Sequence, residues 1–279
     1  MTAKCEPVKM SKLKSDGSSN RDWKGQFKLA LSLAANDFRS KYASSQLGIL
    51  WAFAKPVVQA AVYIFVFSII ARAAPKGDIY PYAFWLLPGM IAWFFFSDGV
   101  MSGANALLEY SYLVKKVKFN IDILPLVKVL SSGIVHVFFV LLVLFLYLLW
   151  GLPVCWTMLQ IPYYMFCTFC ITLAFARINC ALVPFFRDFS QMLEIILMVL
   201  MWACPVMWDI SMLPPGLVSL FKLNPLYYLI DGYRQSFMNG TWFFHCPNET
   251  LYYWAVVLLL TLFSHALFNR LKVHFADII

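Results

Sequence analysis

Six long apolar runs, at approximately 49–72, 82–107, 124–150, 157–185, 191–210 and 251–269, leave this chain few ways to fold. Each is near or above the roughly 20 residues that a helix needs to cross about 30 Å of hydrocarbon. Backbone placed in lipid must satisfy its own N–H and C=O groups, so runs of this length read as transmembrane helices. The fourth, 29 residues as drawn, must tilt or project from the membrane. With 62% apolar and 13% charged residues, the chain holds more apolar surface than a water-soluble domain can hide.

The basic residues orient the runs. With the N-terminus in the cytoplasm, sixteen Lys and Arg fall on the inner side and four (Arg72, Lys76, Lys222, Arg234) on the outer side, while Lys55 and Arg177 lie within spans. That asymmetry places both termini inside. It also explains the net charge of +8 by membrane orientation rather than by nucleic acid binding. Residues 1–20 read as a polar cytoplasmic tail, 21–47 as an amphipathic helix and 48–279 as the membrane domain. The first 47 residues hold no long apolar stretch, so no cleavable signal peptide is expected and the first span itself directs insertion.

In the 21–47 segment, Trp23, Phe27, Leu31, Ala34, Phe38 and Tyr42 recur every three or four residues, and Lys24, Lys28, Asp37, Arg39 and Lys41 fall largely elsewhere. Two readings stand: a helix lying on the membrane surface, or one packed on a soluble partner. Between the fifth and sixth runs, Gly216 to Ile230 is apolar but short, and Asn224-Pro225 breaks it. A pair of short helices dipping back into the outer leaflet fits this pattern, and so does a pair of external surface helices.

Enzymatic signatures are missing. There is no GxxxxGK[ST] phosphate loop, nucleophile elbow or HExxH motif, and His136, His245, His265 and His274 are dispersed. Cys167 and Cys170 sit inside an apolar run as ordinary helix filling, and no metal site or bound cofactor is expected. The segment Tyr112-Leu-Val-Lys-Lys-Val-Lys-Phe-Asn-Ile-Asp-Ile-Leu-Pro125 is more telling. Orientation explains its lysines, but not the Tyr112, Val114, Val117, Phe119 and Ile121 mixed among them on a water-facing segment. Apolar residues exposed among charges suggest docking to a protein.

Four blocks, in order, resemble the permease subunit of type-2 ATP-binding-cassette exporters, in the branch that exports O-antigen-like polysaccharides and teichoic acids. They are Asn36-Asp-Phe-Arg-Ser-Lys-Tyr42 with Gln46-Leu-Gly-Ile-Leu-Trp51 and Pro56; Leu113-Val-Lys-Lys-Val-Lys-Phe119 with Ile123-Leu-Pro125; Phe185-Phe-Arg-Asp188; and Pro205, Leu223-Asn-Pro-Leu226, Tyr233-Arg234 and Met238-Asn-Gly240. The resemblance implies an all-α integral membrane fold and a homodimer with a pore between the copies. It further implies two copies of a cytoplasmic ATPase subunit, which binds ATP and Mg, in the bacterial cytoplasmic membrane. Residues 112–122 are then the coupling helix, with Tyr112, Leu113, Val114, Lys115, Lys116, Lys118 and Phe119 at the ATPase. Phe27, Phe38, Arg39 and Tyr42 belong to an interface helix, and Asn224, Pro225, Tyr233 and Arg234 to an outer re-entrant gate at 211–240. The implied substrate is a polymer on a polyprenyl diphosphate lipid; teichoic acid or capsule export is the alternative within the class. The chain departs from the pattern at Asn120, where a proline is usual, and at Lys55, where an uncharged residue is usual. An ion-coupled transporter is the competitor from another class, and the lack of internal repeats argues against it.

Three expectations follow from residues alone. Aromatic rings offer sugar faces a slippery apolar surface, which makes Tyr63, Phe67, Trp93 and Phe96 channel candidates; ordinary interfacial belts are the other explanation of the 18% aromatic content. Counted from the cytoplasmic ends, Lys55 sits about 9 Å deep, Asp98 about 14 Å, Arg177 about 12 Å and Glu194 about 5 Å. Such charges are costly unless paired or hydrated, so an Asp98–Arg177 pair with Lys55 or Glu194 nearby is expected, against independent snorkelling of each. Cys155 and Cys246 both fall outside and form a candidate disulfide.

Overall fold

Among the described residues every regular element is helical. The computed structural model describes residues 23–43, 46–70, 81–112, 120–186, 188–238 and 240–278. Five helical segments are long and apolar enough to cross a membrane: Leu50–Ser68, Tyr82–Ala104, Ile121–Leu149, Trp156–Leu182 and Pro247–His274. In chain order the helices are α1 (Trp23–Tyr42), α2 (Leu50–Ile64, continued by a π-turn), α3 (Tyr82–Ala104), α4 (Ala106–Glu109) and α5 (Leu124–Leu149). They continue with α6 (Ile161–Leu182), α7 (Phe189–Ala203), α8 (Pro215–Lys222), α9 (Pro225–Phe237), α10 (Pro247–Leu271) and α11 (Phe275–Ile278).

Helix α3 is the hub, with 78% of its most apolar stretch buried against 11% for α2. Its widest contacts are with α6 and α5. Glycines make the α3–α6 approach possible: a Cβ on Gly99 would lie 2.5 Å from Thr172, and one on Gly103 would lie 2.5 Å from Ala176. Small residues spaced four apart let membrane helices pack backbone to backbone, where dispersion replaces the hydrophobic effect as the attraction. Pro88 inside α3 removes the N–H that would bond the Phe84 carbonyl. The Tyr147 hydroxyl on α5 donates to that carbonyl at 2.6 Å, so the break is repaired by a neighbour. α5 itself ends where Gly151 takes φ 69°, and the Leu152 N–H closes back onto the Tyr147 carbonyl at 3.0 Å.

The fifth apolar run is not one span over 191–210. α7 has 15 residues, about 22 Å long and short of the hydrocarbon thickness. Pro205 is the cause, because a proline disfavours helical backbone in the residue before it. Cys204 is accordingly extended, at φ −87° and ψ 142°. The carbonyls beyond are taken by side chains: Pro205 and Val206 by Arg234, and Met207 by the Tyr82 hydroxyl. The 211–240 segment does form a helix pair, α8 and α9, meeting at Asn224. Asn224 caps α9 by accepting from the Leu226 N–H at 3.0 Å, and Pro225 occupies the first turn, where a missing N–H costs nothing. α9 is buried against α3, α6 and the Trp156–Gln160 turn.

Overpacking the closest contact tests the hub. Gly103→Val lowers stability by about 1–3 kcal/mol, read as a lower thermal midpoint of the detergent-solubilised protein. Gly216→Ala, whose Cβ meets nothing within 4 Å, leaves the midpoint unchanged.

Candidate functional site

A half-open cavity of about 650 Å³ lies between α2, α3, α5 and α7, with Tyr42 from the end of α1 at its rim. Aromatic side chains form part of its wall, among them Tyr63, Trp93, Phe94, Phe95 and Phe139. Of the channel candidates, Tyr63 and Trp93 therefore face this space. Phe67 and Phe96 do not: Phe67 packs on Tyr82 with ring centres 6.0 Å apart, and Phe96 sits edge-on to Phe175 at 5.6 Å. His136, dispersed in the sequence and assigned no role there, stacks on Phe95 at 4.4 Å and shares a 3.0 Å hydrogen bond with the Tyr233 hydroxyl. Tyr233, on α9, thus reaches the cavity wall through an imidazole.

Lys55, Asp98 and Glu194 line the same cavity. Arg177 does not, and the Asp98–Arg177 pair is not formed. Asp98 instead accepts from Lys41 of α1 at 3.1 Å and from the Ser132 hydroxyl. Arg177 lies 3.9 Å from Asp122, 3.4 Å from His265 and over the Phe268 ring at 5.3 Å. Geometry explains the separation: α3 presents Gly99 and Gly103 to α6, so Asp98 points off that face into the cavity.

α1 is turned relative to the expected aromatic stripe. Its buried row is Ala30, Ala34, Asp37 and Phe38, while Phe27, Leu31 and Arg39 are exposed. The alanines seat it on Ile123 and Val127 of the following stem. Phe38 packs on Tyr42 at 5.6 Å and on Phe53 at 6.2 Å, joining α1 to α2.

Leu113, Val114, Lys115, Lys116, Lys118 and Phe119 lie outside the described residues. Tyr112 is described and exposed. The flanks of this segment are built from charges that sequence reasoning passed over. Upstream, the buried Lys128 ammonium pairs with Asp37 at 2.6 Å and with Glu109. Tyr110 donates to Asp37 at 2.7 Å, and the ammonium lies 5.1 Å from its ring centre. Burial first, then the bond to Asp37, push the Tyr110 phenol well above its ordinary range, so it stays a neutral donor. Downstream, Asp122 lies 3.5 Å from Lys272, and Asn120 donates to Gln26 of α1 at 3.4 Å. Lys128 counted only as an orientation charge in the sequence, because its partners are 91 and 19 residues away.

On the opposite end, Arg234 is a clamp rather than a free charge. Its guanidinium donates to the carbonyls of Trp85 (3.3 Å), Pro205 (2.8 Å) and Val206 (2.6 Å) and lies 3.6 Å from the Trp85 ring centre. Asn224 also reaches the broken end of α7, donating to Cys204 Sγ at 3.1 Å. Cys155 and Cys246 are free thiols, so the candidate disulfide is not formed.

The sequence is similar to those of known proteins. Two proteins of Klebsiella pneumoniae named "O-antigen export system permease protein RfbA" are each 27% identical over 263 residues, covering 91% of this chain and 95% of the relative. A protein of the same name from Myxococcus xanthus is 28% identical over 211 residues, covering 75% of this chain and 80% of the relative. Residues 28–238, most of the membrane helices described above, match the family described as "ABC-2 type transporter". The chain belongs to that family of membrane permeases.

Proposed function

We propose that this chain is the membrane-spanning subunit of an ATP-driven exporter of polysaccharide carried on a polyprenyl diphosphate lipid. It works as a homodimer with two copies of a separate ATPase subunit. The observation that carries the reading is the likeness to O-antigen export permeases over 91% of the chain. The cavity supports it, because flat aromatic walls let successive sugar rings slide without holding any one linkage. Charges at the inner rim, Lys55, Asp98 and Glu194, suit a polar cargo that enters from the cytoplasmic side.

The same cavity supports the dimer. Its open side is flanked by α2 and α7, whose outward faces are apolar: Trp51, Val58 and Val62 on one, Ile195, Val199 and Trp202 on the other. A second copy on these faces closes two half-cavities into one channel. In this reading α8 and α9 are the outer re-entrant gate, residues 112–122 receive the ATPase, and α1 buttresses them. ATP binding closes the ATPase pair and pushes on 112–122, and hydrolysis resets it.

Two outcomes are expected. Depleting the protein leaves surface polysaccharide reduced and lipid-linked polymer accumulated on the cytoplasmic face, measured by surface staining and by extraction of the lipid pool. Unchanged surface polysaccharide would sink the proposal. In topology labelling, Lys116→Cys reacts with a membrane-impermeant maleimide in inside-out vesicles and stays unreactive in intact cells, compared with the parent chain; the reverse pattern removes the coupling role of 112–122.

A further inference from the structure

The segment between Tyr112 and Asn120 is joined in sequence to Glu109 and Tyr110 before it and to Ile121 and α5 after it. Both stems meet at a single ionic cluster. Asp37 comes from α1, Lys128 from the second turn of α5, and Glu109 and Tyr110 from the turn beyond α3.

The cluster is unevenly buried. The side chains of Lys128 and Asp37 are 5% and 7% exposed, whereas Glu109 is 53% exposed. The Lys128–Asp37 bond is therefore shielded and permanent: neither charge has water to return to, and separating them leaves an uncompensated buried ion. Glu109 can withdraw to solvent at small cost, because an exposed carboxylate recovers its hydration. One ammonium thus holds two carboxylates of different kinds, one fixed and one releasable.

Holding α1 on α5 does not require these charges. Ala30 and Ala34 already pack on Ile123 and Val127, with Leu33, Leu126 and Leu130 around them. Apolar residues of similar volume commonly match or exceed a buried ion pair in stability. What the ions add is direction. A displacement of Glu109, three residues ahead of Tyr112, acts on Lys128 and through it on Asp37. Helices α1 and α5 then move with the segment, or are released from it when the Glu109 bond opens. Lys41 of α1 also bonds Asp98 of α3 at 3.1 Å at the cavity rim, but both side chains are exposed, so this contact, like that of Glu109, opens at small cost.

We propose that Lys128 is a positioning residue that couples the ATPase-facing segment to α1 and α5, with Glu109 as its releasable arm. This rests on the reading that residues 112–122 receive the ATPase. The test uses the permease purified with its ATPase subunit and the same variants expressed in cells lacking the native gene. Glu109→Gln removes the charge of the releasable arm and leaves the buried pair intact. Expected are an unchanged thermal midpoint, unchanged ATP hydrolysis and surface polysaccharide reduced about fivefold or more, the scale of an ordinary coupling free energy. Glu109→Asp, which keeps the charge on a shorter arm, restores part of the export. Asp37→Leu combined with Lys128→Met removes both buried ions together and gives an assembled complex that hydrolyses ATP and exports poorly.

Export per ATP unchanged in Glu109→Gln overturns the inference. So does a parallel loss of thermal midpoint, hydrolysis and export, which marks a purely structural cluster. A wild-type complex that exports no polysaccharide removes the functional reading and this inference with it; normal export with Glu109→Gln removes the inference alone.

Discussion

A membrane helix that stops short must give its backbone carbonyls to something other than water, and in this chain that constraint falls on Arg234. Its guanidinium takes the carbonyls of Pro205 and Val206, where α7 breaks, and that of Trp85 on α3. An unsatisfied carbonyl in hydrocarbon costs several kcal/mol, so the break is tolerable only because α9 supplies donors to it. The clamp in turn fixes α9 against α3. Tyr233, the next residue back, is thereby aligned with His136 on the cavity wall. The α8–α9 helix pair, the broken end of α7 and the cavity wall are consequently tied together rather than three separate features.

The end around Lys128 is built on the opposite principle, charge against charge. Lys41 with Asp98, Lys128 with Asp37 and Glu109, and Asp122 with Lys272 each connect elements distant in sequence. Bridges of this kind contribute little net stability when exposed, and when buried are often no better than apolar packing. They do specify which elements are tied to one another. An end held largely by bonds to backbone carbonyls and an end held largely by ion pairs suit the proposed function, in which force arrives from the cytoplasm.

The spans were legible because lipid imposes long apolar runs, and five of the six runs expected from hydropathy correspond to long apolar helices, at α2, α3, α5, α6 and α10. The fifth was misread for a physical reason. Pro205, Val206, Met207 and Trp208 continue the apolar composition across a point where the backbone no longer continues the helix. Hydropathy registers transfer energy and is blind to that. For the intramembrane charges, the helix that carries each was legible, and its azimuth was not. Lys55, Asp98 and Glu194 share a cavity, but Arg177 faces α10, because the Gly99 and Gly103 seam sets how α3 is turned against α6.

Asp37 shows the same limit on α1. Its charge assigns it to the wet face, yet it is 6% exposed, because Lys128 and Tyr110 provide what water would have provided. Once Asp37 is inside, α1 must present alanines to α5, and the larger Phe27 and Leu31 turn outward. The amphipathic pattern therefore has two apolar faces. One is small and closes on the membrane domain; the other is bulky and stays exposed. The inward face packs α1 on α5, a contact the sequence pattern did not point to, and the outward face stays exposed.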